Sequence, residues 1–551
     1  MDRFDYVVIG AGSSGGLLAM RLAETPANRV LLLEAGTDRE HWSIRMPAAS
    51  RNNYTGGPRN WCFETEPEPF LNHRRLFQPR GKVIGGSSSL NGMVYVRGNR
   101  LDYDGWAASG AAGWAYRDVL PHFRALETYR GGGDEYHGDR GPVTVERLRG
   151  SHPLEQAYLE AAVQAGYRMA DDYNGAEQEG VTAFDANIDN GQRSATAACI
   201  RSIRDRRNFT LRAHAHVTRL IIENARAVGV EYLRHGDLGR VYADAEVIVC
   251  AGAFQSPQIL MLSGIGPAGE LRSHGIEPKL HLPGVGENLQ DHLEVHVKHR
   301  TARGLSKNGL LRRDRVLRAG MEWFLFKSGE AATPHSRVGG FLRTDAGVGY
   351  PNLQFHFWPF FLEGWSPPPR KDGYCFDVGP VRSDSRGWVR LRSADPLDAP
   401  RILLNGLALE RDLAEFRQCI RIAREIAAQR AFEFCRGPEV SPGPEVTSDR
   451  KMDEYVRGNA NSAYHPCGTC RMGVDDMSVV DPELRVHGIG ALRVADASVM
   501  PRITNGNINA PCLMIGERAA ALILGGASDP ADMGRAQERD RISGQDSVSR
   551  V

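Results

Sequence analysis

Apolar and polar positions near the start of the chain predict a parallel sheet. Apolar runs at 6–9 and 30–33 are typical of strands buried on both faces, and the segment 13–23 between them has helical character. Alternating segments within 217–251 then predict a β-meander. Its last strand ends in a buried Val-Ile-Val-Cys run, which we expect to rejoin the first sheet.

The pattern changes between about residue 293 and residue 405. Segments such as 353–357 and 388–392 alternate apolar with polar residues, which predicts an antiparallel sheet with one solvated or cavity-facing side. Helical periodicity of apolar residues predicts amphipathic helices at 116–126, 153–165, 193–203 and 408–429. The chain is therefore predicted to have a mixed α/β fold.

Length and composition narrow the class of protein. At 551 residues the chain exceeds what one hydrophobic core usually supports, so at least two domains are expected. A formal net charge of +1 gives no general attraction to nucleic acid or anionic membrane, and no apolar run is long enough to span a bilayer. Nine scattered cysteines do not indicate a disulfide framework. We expect a cytoplasmic protein without an integral membrane segment.

A glycine motif joins the first strand to the first helix. Gly10 permits a tight turn, Gly12 lets the backbone approach a pyrophosphate, and Gly15 lets the helix pack closely on the strand. The helix N-terminus offers N–H groups to phosphates, and Glu34 ends the second strand where a carboxylate can bind ribose hydroxyls. A dinucleotide site is predicted, but this motif alone does not separate FAD from NAD.

The C-terminal part holds the densest group of candidate reactive residues. His465 stands two residues before Cys467-Gly-Thr-Cys470, and Asn507 and Asn509 follow within one polar segment. A Cys-x-x-C pair without further ligands at suitable spacing favours packing over zinc binding, so no metal is expected. A histidine suits proton transfer at neutral pH because its ordinary pKa is near 6.5.

Six segments together carry a resemblance to a known family. They are the glycine motif, 81–93, 252–266, 288–292, 463–473 and 496–511. From residue 5 to about residue 524 the chain resembles the glucose–methanol–choline (GMC) flavoprotein oxidoreductases, and most closely their choline dehydrogenase-like branch. The resemblance implies an FAD-binding domain formed by 1–150, 193–292 and 461–524. A substrate domain is expected at 151–192 and 293–460, and a disordered tail at 525–551.

The resemblance also implies a reaction. A primary alcohol is expected to lose its hydroxyl proton to His465 and a hydride to flavin N5, with electrons passed to a quinone or another carrier. Asn507 matches the second active-site position, where its amide would bond the substrate oxygen, and Asn509 is the alternative. An oxidase that uses oxygen is a second interpretation, and a redox-silent flavin lyase or a non-catalytic FAD-binding protein is a third. The oligomeric state is left open.

Cofactor contacts are expected along the whole chain: Gly10, Gly12, Ser13, Ser14, Gly15, Glu34, Ala35, Trp61, Val83, Gly86, Ser87, Asn91, Gly92, Val94, Val217, Ala251, Gly252, Asp496, Ala497, Asn507 and Asn509. Trp61 fits either the flank of the adenosine pocket or a small local core. Leu90 occupies the position at which some relatives carry a histidine that tethers FAD. Non-covalent FAD is therefore expected.

The substrate pocket is less sharply predicted. Arg337 stands where relatives usually have a glutamate, and an arginine in the cavity would repel a cationic alcohol such as choline. The alternative is that Arg337 points away or pairs with a local acid. Phe357 and Trp358 fit a substrate cavity or a core equally well, and Tyr464 is a further pocket candidate.

Overall fold

The computed structural model describes residues 2–301, 304–345, 347–363 and 371–525. The first sheet contains four strands in which each adjacent pair is parallel. Their order is Phe209–Arg212, Val30–Leu33, Arg3–Ile9 and Asp237–Val249. The strand Leu492–Val494 extends this parallel part, while Arg226–Arg234 and Ala215–Glu223 complete an antiparallel meander. The predicted return of the meander to the first sheet is confirmed.

The second sheet is antiparallel, as the alternation predicted. Its strands lie in the order Arg436–Ser441, Leu293–Thr301, Gly373–Pro380, Leu353–Trp358, Val338–Leu342 and Gly180–Ala183. The short strand Asn461–Ser462 also pairs with Leu293–Thr301. The segment 388–392 belongs elsewhere, because Trp388–Arg390 pairs only with Arg401–Leu403 among the described residues.

The predicted helices are present with small shifts at their ends. They are Ser13–Glu24, Tyr116–Leu126, Pro153–Gln164, Thr196–Ile203 and Glu410–Ala427. Other helices are Trp42–Arg45, Arg51–Tyr54, Arg100–Ala108, Gly252–Leu262, Ala268–Ser273, Asp449–Asn459 and Asn509–Ile523. The sequence analysis did not predict the helix Arg313–Phe326, which interrupts the stretch assigned to strands.

Two large apolar cores accompany the two sheets. The first includes Val7, Leu32 and Val249, and the second includes Phe355, Phe376 and Phe416. We propose that the chain divides into two discontinuous domains at the boundaries given above. The pairing of Asn461–Ser462 with Leu293–Thr301 means that the last segment assigned to the FAD-binding domain begins with a short strand in the second sheet.

Within the described part of the chain, no helix has both the length and the apolar character that crossing a bilayer requires. The tail expected to be disordered falls, apart from Gly525, outside the described residues.

Candidate active site

An elongated cavity of about 360 Å³ runs from the first sheet to the second. One end is lined by the glycine turn and Glu34, and the other by residues of the strands Leu293–Thr301, Leu353–Trp358 and Gly373–Pro380. His465 and Asn507 lie on its wall. The cavity therefore connects the predicted dinucleotide site with the predicted catalytic residues.

The glycine turn leaves room where a dinucleotide would pass. Gly10 has a φ of +99°, and a Cβ there would lie 2.5 Å from the Cys250 carbonyl oxygen. A Cβ on Gly12 would meet no atom within 4 Å, so its backbone faces open space in the cavity. A Cβ on Gly86 would lie 2.8 Å from the Cα of Gly12, so the two glycine segments touch. These contacts require glycine and fit a pyrophosphate cradle.

Glu34 is buried at the end of its strand and still faces the cavity. The N–H groups of Gly36 and Ala11 donate to its two carboxylate oxygens at 2.7 and 3.0 Å. Burial raises the pKa of Glu34 to about 7, while these two backbone donors act in the opposite direction. Each oxygen keeps a further lone pair, so the carboxylate can still accept from ribose hydroxyls.

Asp496 holds two cavity segments together with its side chain. One carboxylate oxygen accepts from the Gly252 N–H at 2.8 Å and the Ser256 hydroxyl at 2.5 Å. The other accepts from the Ser498 N–H at 2.8 Å and the Ser498 hydroxyl at 2.6 Å. These partners use most of the capacity of the carboxylate, so we infer that Asp496 shapes the cofactor site and contacts the cofactor mainly through its backbone.

Asn91 is held in the same way from inside the protein. Its side-chain oxygen accepts from the buried Arg193 at 2.6 Å and from the Met93 N–H at 3.1 Å. The neighbouring Leu90 lines the cavity. Its side chain offers no nucleophilic atom to a flavin there.

The wall around His465 is a chain of hydrogen bonds with one consistent direction. His292 Nε2 lies 3.1 Å from the Val381 carbonyl oxygen, so this nitrogen must carry a hydrogen and Nδ1 must be an acceptor. His465 Nδ1 lies 3.1 Å from His292 Nδ1 and therefore donates to it. This leaves His465 Nε2 with a lone pair. The Asn507 amide nitrogen donates to that atom at 3.1 Å, because its side-chain oxygen accepts from Gln354 at 3.0 Å.

His465 is a neutral base in this setting. Burial, followed by the charges of His292, Arg80 and His356, lowers its pKa well below the usual value. Burial likewise lowers the pKa of His292 to about 4, against the effect of the Val381 carbonyl. Both rings are therefore uncharged at neutral pH, and the lone pair on His465 Nε2, which accepts from Asn507, can accept from a substrate hydroxyl that displaces this amide.

The motif 288–292 fixes the position of His465. Gln290 and Cys467 exchange two backbone hydrogen bonds of 3.0 Å, which join the two segments side by side. The Asp291 carboxylate accepts from the His465 N–H at 2.7 Å and from the Ser462 hydroxyl. Cys467 and Cys470 are both buried free thiols in the first core. The two segments are thus built as one unit that presents the imidazole.

Strand register decides which residues of the second sheet face the cavity. Along Leu353–Trp358, Gln354, His356 and Trp358 line the cavity, whereas the alternate residues point into the core. Phe357 is fully buried in that core, so its assignment to the substrate pocket is wrong. His356 pairs across the sheet with Asp377, which places both side chains on the cavity face.

Two acids meet on this face of the sheet. Glu294 and Asp377 line the cavity and share a side-chain hydrogen bond. Burial, reinforced by the neighbouring charge of Asp377, raises the pKa of Glu294 well above its usual range. Burial also raises the pKa of Asp377 to about 7, although its bond with Glu294 acts in the opposite direction. A buried acid pair of this kind attracts cations once it loses a proton.

The same acids and His296 have ligand atoms within 4.8 Å of one another, a separation compatible with a metal ion. Trp358 and Tyr464 line the same cavity, and aromatic rings beside carboxylates are typical of sites for organic ammonium groups. The surroundings therefore favour an organic cation over a metal ion.

Arg337 points away from the cavity, contrary to its assignment to the substrate pocket. Its guanidinium donates to Glu330 at 2.6 Å and to the Thr333 hydroxyl at 2.5 Å, and the side chain is almost fully buried. The preceding residue, Ser336, lines the cavity instead. Because the arginine is neutralised by a local acid, it does not repel a cationic substrate.

Most residues predicted to contact the cofactor do line the cavity: Gly10, Gly12, Ser13, Ser14, Glu34, Ala35, Trp61, Gly86, Ser87, Asn91, Gly92, Val94, Val217, Ala251, Gly252, Asp496, Ala497, Asn507 and Asn509. Two do not. Gly15 packs its helix against the turn, since a Cβ there would lie 2.1 Å from the Gly10 carbonyl oxygen. Val83 is fully buried in the first core.

The sequence left alternatives open for Trp61 and for the choice between Asn507 and Asn509, and the structure shows the contacts of each. Trp61 lines the cavity and also stacks on Phe63 with ring centroids 5.8 Å apart, so it belongs to both settings. Asn509 accepts from the Ser13 hydroxyl at 2.8 Å, next to the glycine turn. Asn507 is the asparagine that contacts His465.

Sequence reasoning missed several residues of the site. His292 is the last residue of the quoted motif 288–292. Glu294 stands two residues after it, and the alternation of polar with apolar residues in Leu293–Thr301 was a usable signal for Glu294. Gln354 and Asp377 gave no local signal, because their roles arise from register and from contacts with distant residues.

Comparison with known proteins gives the chain its family. Models described as GMC oxidoreductase match residues 4–294 and 383–516. A human protein named "Choline dehydrogenase, mitochondrial" is 46% identical over 535 residues, covering 95% of this chain and 90% of its own length. A Brucella canis protein named "Oxygen-dependent choline dehydrogenase" is 46% identical over 525 residues, covering 95% of each chain.

Solved structures share the fold. Pyridoxine 4-oxidase from Mesorbium loti superposes with a TM-score of 0.86 at 32% identity, covering 94% of this chain and 98% of its own. A formate oxidase variant from Aspergillus oryzae reaches a TM-score of 0.90 at 30% identity, covering 96% and 99%. Together with the cavity geometry, these matches establish that the chain belongs to the GMC oxidoreductase family and is an FAD-dependent oxidoreductase acting on CH–OH groups.

Proposed function

We propose that the protein oxidises a cationic primary alcohol of the choline class and passes the electrons to a quinone or another carrier. The observation that carries the proposal is the acid pair Glu294–Asp377 on the same cavity as His465. Arg337, whose charge was expected to repel choline, forms an ion pair with Glu330 outside this cavity. The sequence relatives, named as choline dehydrogenases, support the same substrate class.

Each end of such a substrate has a partner on the wall. The ammonium group lies against Glu294 and Asp377, with the rings of Trp358 and Tyr464 beside it. The hydroxyl group enters between His465 Nε2, which accepts its proton, and the Asn507 amide, which donates to its oxygen. Bound FAD supplies the hydride acceptor.

Deprotonation by His465 makes hydride loss feasible, since a neutral alcohol is a poor hydride donor. The proton on His465 Nδ1 stays directed at His292, so the imidazole gains its second proton only on the cavity side. Asn507 stabilises the negative charge that develops on the substrate oxygen without competing for the proton.

Anaerobic mixing with three alcohols of different charge tests the proposal. Choline should bleach the flavin absorbance near about 450 nm, a general flavin property. The neutral isostere 3,3-dimethylbutan-1-ol should act weakly, and anionic 3-hydroxypropanoate should not act. The proposal fails if the anionic or the neutral alcohol reduces the flavin as well as choline does. Admitting air and measuring hydrogen peroxide then separates an oxidase from a dehydrogenase.

Substrate binding should depend on pH through the acid pair. Below neutrality Asp377 and Glu294 are both protonated, because burial raises both pKa values, and the pair carries no charge for the ammonium group. As the pH rises through the pKa of Asp377 near 7, from about 6 to about 8, the pair loses one proton and KM for choline is expected to fall about tenfold. KM for 3,3-dimethylbutan-1-ol should stay flat, and a parallel change for both alcohols would contradict this origin.

We propose that FAD is held without a covalent bond, because Leu90 offers no linking atom. Acid precipitation of the purified holoenzyme should release the yellow colour into the supernatant, with flavin and protein near one to one. Colour retained in the washed protein pellet would show a covalent link. A cytoplasmic location remains our proposal and fits nine free cysteines.

A further inference from the structure

The helix Arg313–Phe326 exposes an unusual amount of apolar surface. Twenty large apolar side chains are exposed among the described residues, and seven of them lie within 311–326. Leu317, Met321, Phe324 and Leu325 recur at helical spacing and form one continuous face, which we call the outer stripe. Leu325 and the adjoining Phe326 are 72% and 73% exposed.

The opposite side of this helix is firmly attached to the protein. Trp323 is buried in a small core with Met46, Ala49, Ala331 and Ala332. Its indole N–H donates to the Gly191 carbonyl oxygen at 2.7 Å. Trp42 extends the outer stripe, with its ring 5.8 Å from that of Phe324. The exposure is therefore a property of a well-anchored helix and not of a detached segment.

Charge indicates what covers the stripe. The segment 311–327 contains five arginine or lysine residues and two acidic residues, a local net charge of +3 in a chain whose total is +1. On a helical projection Arg313 and Arg318 lie on opposite borders of the stripe. An apolar face bordered by basic side chains is typical of helices that lie in the surface of an anionic bilayer.

A second copy of the chain is a less favourable partner. A two-fold contact through the outer stripe would bring two positively charged faces together. The helix has 14 residues, too few to span a bilayer, but long enough to lie in its surface.

We propose that the outer stripe docks the protein on an anionic membrane. The helix adjoins the cavity, since its supporting core includes Ala49 and Ala332, while Ser50, Tyr54 and His335 line the cavity wall. Docking would thus place the cavity near the bilayer, where a lipid-soluble quinone is found. This last consequence rests on the proposed electron acceptor, whereas the docking itself does not.

Vesicle flotation of the holoenzyme tests the docking without substrate. We expect binding to phosphatidylcholine vesicles that contain about 30% phosphatidylglycerol, and weaker binding to pure phosphatidylcholine or in high salt. The variant L317D/F324D should bind the anionic vesicles at least about tenfold more weakly. The variant R313Q/R318Q should lose binding that depends on the anionic lipid.

The control variant L238D/V474D changes two equally exposed apolar residues elsewhere and should bind like the wild type. All these variants should reduce a soluble dye with choline at the wild-type rate, since none of the changed residues lines the cavity. If the dye assay fails in the wild type, the proposed substrate is wrong while the flotation result still stands.

Two outcomes would overturn the docking proposal. One is a wild-type protein that floats with neither kind of vesicle. The other is a wild-type dimer in analytical ultracentrifugation that L317D/F324D converts to a monomer, with vesicle binding the same for both proteins. That result would assign the outer stripe to a second copy of the chain.

Discussion

Replacing His465 with alanine is expected to slow flavin reduction by choline by more than about 100-fold, the usual contribution of a general base. His465 Nε2 carries the lone pair that accepts from Asn507, and burial keeps the ring neutral by lowering its pKa. Stopped-flow absorbance under anaerobic conditions measures the effect. FAD content should stay near one per chain, because the glycine turn and Glu34 bind at the other end of the cavity.

A matched control is His274→Ala, which removes a histidine that does not line the cavity and should leave the rate unchanged. Added imidazole should partly restore the rate of His465→Ala, since it can replace the missing base in the space left behind. Reduction at the wild-type rate in His465→Ala would remove this residue from the role of base.

Replacing Asp377 with asparagine should raise KM for choline by at least about 30-fold, in line with the loss of the charged member of the buried acid pair. Asparagine keeps the size of the side chain and can still bond to Glu294, but it removes the acid whose pKa is raised only to about 7 and which therefore carries the charge of the pair. Steady-state kinetics with choline and 3,3-dimethylbutan-1-ol measure the change. KM for the neutral alcohol should change little, so the variant should largely lose the preference for choline over the neutral alcohol.

Glu277→Gln serves as the control, because Glu277 is exposed and does not line the cavity. Equal losses for the charged and the neutral alcohol in Asp377→Asn would mean that Asp377 supports the structure and does not recognise charge. Glu294→Gln should raise KM for choline less, since Glu294, whose pKa is raised well above its usual range, still carries its proton when Asp377 is charged.

The sequence predicted those features that depend on one short segment of the chain. The turn Gly10-x-Gly12-x-x-Gly15 needs its glycines for local backbone reasons, so the end of the strand, the turn and the helix were predicted nearly to the residue, whereas the strand begins at Arg3, three residues before its predicted start. The antiparallel character of the second sheet was predictable from alternation along Leu353–Trp358. The helix Arg313–Phe326 was missed although its apolar residues recur at helical spacing, because the surrounding stretch was interpreted as strands.

The direction in which a side chain points was harder to predict from the sequence. Phe357 and Trp358 are neighbours of similar chemistry, and only the register of the sheet decides which one lines the cavity. Arg337 stands where the resemblance suggested a substrate contact, but its side chain binds Glu330, seven residues upstream, and points away from the cavity. A motif match cannot foresee such a local partner, since it compares residue types and not the contacts available to them.

The sequence by itself determined the dinucleotide turn and the family, because each of the short motifs behind them depends on residues close together in the chain. It also led to the proposal of His465 and Asn507 as the reactive residues. Tertiary structure alone decided the protonated nitrogen of His465, through His292 and the Val381 carbonyl. It also decided the charge of the substrate site, since Glu294 and Asp377 meet only when their strands pair. Proton position and local charge depend on what lies opposite in space, and folding sets that arrangement.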